Sequence, residues 1–395
     1  MNLLVTGGAG FIGSNFIRYV LRKYPEYRVL NLDKLTYAGN LENLKGVEEE
    51  FGVRYKFVKG DIADEKIVNR IVEGGFDFDD EDAGVGDKVA DKAVERAGGS
   101  AGKFDVIINY AAETHVDRSI TGPRDFITTD VLWTYTLLEA TKKFGVGRYI
   151  QISTDEVYGI TLDGSFKETS PFMPNSPYSA SKAGADHLCM AYFVTYGVPV
   201  IVTHSCNVYG PYQYPEKVIP LFVTNLIRGL KVPLYGDGGN VREWLFTEDH
   251  CSAIDVILHK GVAGEVYNIG SGHEITNLEL TGLILKEFGF ADGKDDRAGG
   301  RVGGGDGVAS VAGSCGSGGV GGISEAGWAM IEYVPDRLGH DRRYSIDFTK
   351  LKKELGWEPL HKFEEALKET VKWYKENELW WKKLLDVRAS VNPSV

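Results

Sequence analysis

The chain has 395 residues, 43% of them hydrophobic and 25% charged, with a formal charge of −12. That is the texture of a globular protein of two or three domains, and it excludes fibrous, coiled-coil and wholly disordered classes. The acidic balance argues against nucleic-acid and anionic-membrane partners, no run approaches the roughly 18 apolar residues of a membrane span, and Met1 leads at once into an apolar run, so a cytoplasmic protein is expected.

Residues 3–6 predict a strand. Thr6-Gly7-Gly8-Ala9-Gly10-Phe11-Ile12-Gly13 follows it, ahead of a helix carrying Phe16, Ile17, Val20 and Leu21. Gly7, Gly10 and Gly13 have the spacing of a turn that brings a dinucleotide pyrophosphate against backbone N–H groups at a helix N-terminus. The next strand, 29–32, ends at Asp33, twenty residues after Gly13. There a carboxylate accepts from the adenosine 2′-hydroxyl and repels a 2′-phosphate. NAD is therefore the expected cofactor, with Lys34 beside Asp33 as the contrary sign. A third strand, 55–58, closes on Gly60-Asp61-Ile62, placed to meet the adenine.

Residues 75–103 break this rhythm. Asp77, Asp79, Asp80, Glu81 and Asp82 read as a solvated acidic loop, because Asp82 stands where a calcium loop needs glycine. In 87–96, Val89, Ala93 and Arg96 fit a short surface helix.

Strands at 106–110, 149–153 and 200–203 restore the alternation with helix-length segments, the pattern of a parallel sheet covered on both faces. Ser153-Thr154-Asp155-Glu156 stands at the carboxyl end of 149–153, where open α/β sheets bind ligands. Alcohol oxidation needs a base and a hydroxyl. Two further carboxyl groups suit an added proton removal and donation, as in loss of water, although both could instead cap the next turn. Ser176 and Pro177 then predict a helix start, and Tyr178 and Lys182, at i and i+4, share a face. A phenol ionises near pH 10, and an ammonium together with a positive nicotinamide ring favours its phenolate. Lys182 is thus expected to activate Tyr178 while binding the cofactor ribose.

Beyond residue 210 come shorter elements at 232–236, 266–269, 277–288, 331–334 and 363–375, the last with Phe363, Leu367, Val371 and Tyr374 on one packing face. Residues 290–328 hold 14 glycines and predict a flexible loop, whose Gly303-Gly304-Gly305 lacks the strand and helix of a phosphate site. Cys189, Cys206, Cys251 and Cys315 form no CxxC pair and have no His at ligand spacing, so no metal is expected. The expected fold class is α/β, a Rossmann-type doubly wound parallel sheet with a smaller C-terminal α/β substrate-binding lobe. Residues 1–205, with the insertion 75–103, would bind NAD. Residues 206–395, with the insertion 290–328, would mainly bind substrate, some segments returning to the first domain.

These motifs, with Ala111-Ala112-Glu113-Thr114-His115, Asn207-Val208-Tyr209-Gly210-Pro211, Asn240-Val241-Arg242-Glu243-Trp244 and Arg337-Leu338-Gly339-His340-Asp341, resemble the dTDP-glucose 4,6-dehydratases. Those enzymes are extended short-chain dehydrogenases/reductases of nucleotide-sugar metabolism, and the resemblance covers nearly everything outside the two odd stretches. It implies that Tyr178 takes the sugar 4-OH proton as hydride leaves C4 for NAD, with Thr154 orienting that hydroxyl. Glu156 would then remove the C5 proton, Asp155 would protonate the departing C6 hydroxyl, and hydride would return to C6 as C5 is reprotonated. Phe11, Ile12, Asp33, Asp61, Ile62, Ala111, Ala112, Thr129, Tyr178 and Lys182 would be cofactor contacts by the same resemblance. Thr114, Asn207, Lys217, Val218, Pro233, Tyr235, Arg242, Asn277, Arg337 and His340 would surround the dTDP-sugar, Arg242 and Arg337 suiting its diphosphate. A homodimer through helices near 125–143 and 178–195 is implied as well.

The chain departs from that pattern at His204-Ser205-Cys206-Asn207-Val208, where the family has Arg-Cys-Ser-Asn-Asn; one cofactor contact and the local packing are affected. The two insertions are foreign to the family. Alternative readings are a nucleotide-sugar 4-epimerase or UDP-glucuronate decarboxylase of the same fold, which do not need both acids, and a catalytically silent NAD-binding scaffold.

Overall fold

The computed structural model describes residues 1–74, 78, 103–291 and 322–391. The acidic run, the helix expected over 87–96, Cys315 and most of the glycine-rich stretch lie outside them.

The strands among these residues are β1 (Asn2–Thr6), β2 (Arg28–Asp33), β3 (Tyr55–Lys59), β4 (Val106–Asn109), β5 (Arg148–Thr154), β6 (Val200–Ser205), β7 (Asn207–Tyr209), β8 (Val232–Tyr235), β9 (Val241–Phe246), β10 (Val266–Ile269), β11 (Glu274–Thr276) and β12 (Ile331–Val334). Seven form one sheet in the order β10-β6-β5-β4-β1-β2-β3, all neighbours parallel. The chain winds from β1 out to β3, then crosses back to start the other half at β4. That reversal opens a crevice at the carboxyl ends of β1 and β4, where ligands of such sheets bind.

Runs such as Leu3-Leu4-Val5 and Val200-Ile201-Val202 are buried throughout because helices cover both faces. On one face Phe16, Ile17 and Val20 of the Phe11–Lys23 helix meet Ile254 and Ile257 of the Thr247–Lys260 helix. On the other, Val68 and Ile71 of Glu65–Val72, Leu137 and Leu138 of Trp133–Phe144, and Cys189 and Tyr192 of Pro177–Tyr196 share a second core. Pro177 opens its helix as expected, and Ser176 caps it in a reciprocal pair with Ser179. Cys189, Cys206 and Cys251 are buried and unpaired.

A smaller lobe holds the sheets β11-β9-β7 and β12-β8. Its core gathers Phe222, Trp244, Leu280, Phe363, Leu367 and Tyr374 from β9 and the helices Val218–Ile227, Asn277–Glu287 and Phe363–Glu376. Only Cys206 separates β6 from β7, so the carboxyl end of the large sheet runs straight into this lobe.

The first insertion leaves and returns at the amino end of β4, where Asp105 N donates to Asn2 O. That is the rim opposite the crevice. The stretch 290–328, expected as one flexible loop, is ordered where it ends. Ile323 is buried and bridges Ala291, and Glu325–Trp328 is a helical turn whose Gly327 N donates to Ser324 Oγ. An apolar anchor and a serine cap order this end despite its glycines.

Candidate active site

The turn after β1 is built to leave space. Gly7 has φ +68°, and a Cβ on it would lie 2.5 Å from Ala111 N; one on Gly13 would lie 2.6 Å from Gly7 O. The turn is fixed from behind: Gly8 N donates to Asn31 Oδ1 (3.1 Å), Ala9 N to Asp33 Oδ2 (2.9 Å), and Asn43 Nδ2 to Ala9 O (2.9 Å). Backbone packed this closely at a helix start is a cradle for a dinucleotide pyrophosphate, and the residues present fit one.

Gly7, Gly10, Phe11, Ile12, Gly13, Asp33, Ile62, Ala111, Ala112, Thr129, Tyr178 and Lys182 all line one cavity. Asp61 does not reach its wall. It pairs instead with Lys34 at 2.6 Å, so the lysine that stood against NAD is itself engaged. Both Asp33 oxygens accept backbone N–H groups, Oδ1 from Leu35 at 2.7 Å and Oδ2 from Ala9, which fixes the carboxylate at the end of β2.

Thr154, Asp155 and Glu156 line the same cavity as Tyr178 and Lys182. Thr154, not either acid, caps the turn Asp155–Tyr158: Glu156 N donates to its Oγ1 at 3.3 Å. The two carboxyl groups are therefore free of the capping role. Asp155 is 2% exposed, and burial followed by the nearby Glu156 and Glu243 charges pushes its carboxyl well up, toward the protonated form. Burial raises Glu156 too, but Arg337, Arg242 and Lys217 oppose the shift. Neighbouring acids in such different company suit one proton donor and one acceptor.

Lys182 Nζ donates to Ile152 O at 2.8 Å, which holds the ammonium against the end of β5 at the cavity wall. Tyr178 is pushed up by burial and by Glu156 and Asp130, with Thr154 opposing. The phenol is thus harder to ionise than its spacing from Lys182 alone shows, because a helix face reveals neither how deeply the ring is buried nor which carboxylates face it across the fold.

Thr114, Asn207 and Lys217 also line the cavity, Lys217 Nζ donating to Thr114 O at 2.6 Å. Val218, Pro233, Tyr235, Arg242, Asn277, Arg337 and His340 lie off its wall in the smaller lobe. Arg242 is buried against the Tyr344 ring and donates to Val241 O and Asp341 O, so it supplies charge toward Glu156 more than an open fork. Arg337 keeps its buried Nε without a partner. His340 is driven down to about 4 by burial and Arg337, and contacts the Tyr235 ring.

The His204 departure is absorbed by the packing. Fully buried, its Nδ1 shares a 2.6 Å hydrogen bond with Tyr158 and its Nε2 lies 3.2 Å from Asp186 Oδ2, which also accepts from Ser153 Oγ at 2.6 Å. This network ties the Tyr178 helix to the turn bearing both acids. Sequence reasoning missed Asn31 behind the glycine turn, and Asn43, Trp133, His250 and Trp380 on the cavity wall. Trp133 alone left a signal, one helical turn after Thr129.

A family model described as GDP-mannose 4,6 dehydratase matches residues 4–77 and 91–370. A dTDP-glucose 4,6-dehydratase of Streptomyces niveus is 44% identical over 388 residues, 97% of this chain and 96% of that protein. The crystal structure of a dTDP-glucose 4,6-dehydratase from Streptomyces venezuelae with NAD and TYD bound aligns with TM-score 0.79 and 44% identity, covering 97% of this chain and all of that one. A UDP-glucose 4-epimerase from Thermotoga maritima, with UDP-glucose, aligns with TM-score 0.73 at 28% identity, covering 96% of this chain and all of that one.

Proposed function

This chain belongs to the GDP-mannose 4,6 dehydratase family, and we infer from its site that it is an NAD-dependent dTDP-glucose 4,6-dehydratase, converting dTDP-glucose to dTDP-4-keto-6-deoxyglucose and water. One observation carries this reading: a Tyr178–Lys182 pair and an Asp155–Glu156 pair open on a single cavity. Bound NAD supplies the hydride acceptor for C4, the donor for C6 and a positive ring near Tyr178. In this reading Tyr178 receives the O4 proton, with Lys182 and that positive charge countering the burial that raises it. The hydroxyl of Thr154 orients O4. A ketone at C4 makes the C5 hydrogen acidic, and Glu156 withdraws it. Asp155, kept protonated by burial, donates to the C6 oxygen so that it leaves as water, and C5 regains a proton, which Glu156 is placed to return, as hydride reaches C6.

The epimerase relative shares the fold, but epimerisation has no use for an acid held ready beside the base. The cavity walls from Gly7 to Thr129 support the NAD contacts, and Thr114, Asn207 and Lys217 support nucleotide-sugar contacts, while Arg242 and Arg337 lend positive charge beside Glu156. Residues 1–205 serve the cofactor and 206–395 mainly the nucleotide sugar. Exposed Ile127, Leu132, Tyr135, Val194 and Tyr196 on neighbouring helices support a homodimer. Among the described residues no helix is long and apolar enough to cross a membrane, which accords with a cytoplasmic location.

Incubation with dTDP-glucose followed by mass spectrometry tests the proposal. A product lighter by one water, with a 4-keto chromophore in alkali, is expected. A product of unchanged mass that is the C4 epimer, or recovery of sugar with its C6 oxygen intact, would overturn it.

A further inference from the structure

We propose that Trp133 is a cofactor-retaining residue: its indole walls the adenosine end of the cavity, and its N–H is a donor that the adenosine moiety of bound NAD satisfies. This deepens the cofactor reading above and rests on it.

Trp133 lines the same cavity as Asp33, Gly60 and Ile62 and is only 8% exposed. Its Nε1 is buried with no hydrogen-bond partner. An indole nitrogen can only donate, and a buried donor is unfavourable without an acceptor. Among the described buried indoles, Trp380, on the same cavity, donates to Asn43 Oδ1 at 2.9 Å, Trp357 to Ser252 Oγ at 2.8 Å and Trp381 to Tyr374 O at 2.9 Å, while Trp244, whose Nε1 also has no partner, lies off this cavity.

The position of the ring identifies the acceptor. Lys34 Nζ sits 4.9 Å from its centroid and pairs with Asp61 at 2.6 Å. Ring, ammonium and carboxylate thereby join the helix Trp133–Phe144 to the loops that leave β2 and β3. Those loops border the adenosine half of a dinucleotide on a sheet of this order, whereas Tyr178 and Lys182 border the nicotinamide half. Adenosine offers ring nitrogens and ribose oxygens as acceptors, and a flat base suits an indole wall. A cofactor reduced and reoxidised within one turnover needs retention more than exchange, which is what an added adenosine contact supplies. The same ring and Asp61 together hold Lys34, away from the role of meeting a 2′-phosphate.

The test uses W133F, which keeps an aromatic ring under Lys34 and removes the N–H donor together with part of the ring area. NAD, ADP-ribose and nicotinamide mononucleotide are titrated calorimetrically into the unmodified chain and the variant. Dissociation constants for NAD and ADP-ribose should rise about tenfold, as for one lost hydrogen bond, and that for nicotinamide mononucleotide should not change. Equal affinity of both proteins for ADP-ribose overturns the proposal, and so does an equal loss for all three ligands. Failure of NAD to bind the unmodified chain overturns the cofactor reading itself. Should W133F not fold, the indole N–H spectrum of the unmodified chain decides. A signal that starts unbonded must move downfield with ADP-ribose and stay fixed with nicotinamide mononucleotide; no such signal overturns the proposal.

Discussion

Gly7→Ala and Gly145→Ala place the same torsional strain in two surroundings. Gly7 and Gly145 both hold left-handed backbone, at φ +68° and +67°. That costs an L residue about 1–2 kcal/mol. A Cβ on Gly145, at the end of the Trp133–Phe144 helix, meets nothing within 4 Å. On Gly7 it lies 2.5 Å from Ala111 N and 2.7 Å from Ala111 Cα and Tyr110 C. These are backbone atoms at the exit of β4, fixed by the sheet, so no rotamer change relieves the overlap. The loops after β1 and β4 must part, and overpacking of this kind adds about 1–3 kcal/mol.

Gly145→Ala should therefore lose about 1–2 kcal/mol in denaturant unfolding and bind NAD normally. Gly7→Ala should lose about 2–5 kcal/mol and bind NAD at least about tenfold more weakly, because the displaced turn is the pyrophosphate cradle. Equal losses in the two variants, or retained NAD affinity in Gly7→Ala, would refute the reasoning that the neighbouring backbone, beyond the torsion, requires glycine there.

Glu156→Gln should slow exchange of the C5 hydrogen with solvent deuterium by about 10²–10⁴-fold while substrate affinity changes little; equal exchange in variant and parent would assign the base elsewhere. Asp155→Asn should slow dehydration on a similar scale yet raise the melting temperature at neutral pH. The sign follows from burial: the folded carboxyl ionises well above its ordinary value, so its stability is full below the usual carboxylate range and falls as pH rises through it. No gain at neutral pH would show that Asp155 is not held protonated. His250 has the opposite sign. Burial drives it down to about 3. Stability should then fall by about 1.4 kcal/mol per pH unit as pH drops below about 6.5 toward 3, and His250→Gln should flatten that limb of the unfolding curve. An unchanged acid slope in the variant would locate the acid sensitivity in other groups.

What the sequence determined by itself was whatever neighbouring residues dictate to one another. The glycine turn follows from steric limits over eight residues, the Ser176-Pro177 start from unsatisfied helix N–H groups, and the shared face of Tyr178 and Lys182 from a 3.6-residue turn. The alternation of apolar runs with helix-length segments then dictated a parallel sheet, and with it the crevice where the site had to lie. The same local view predicted one loop over 290–328, because composition counts glycines but cannot see that Ile323 finds a buried place against Ala291.

Only the tertiary structure decided the states of the groups so placed. His204 meets Asp186 on another element and Tyr158 across the sheet, Lys34 turns to Asp61 and Trp133, and Arg242 gives two donors to backbone carbonyls. Burial and the charges of Glu156 and Asp130 raise Tyr178, which a lysine one helical turn away does not reveal. Ionisation and hydrogen-bond partners depend on what surrounds an atom in three dimensions, and those neighbours come from segments tens to hundreds of residues apart, which no local spacing encodes.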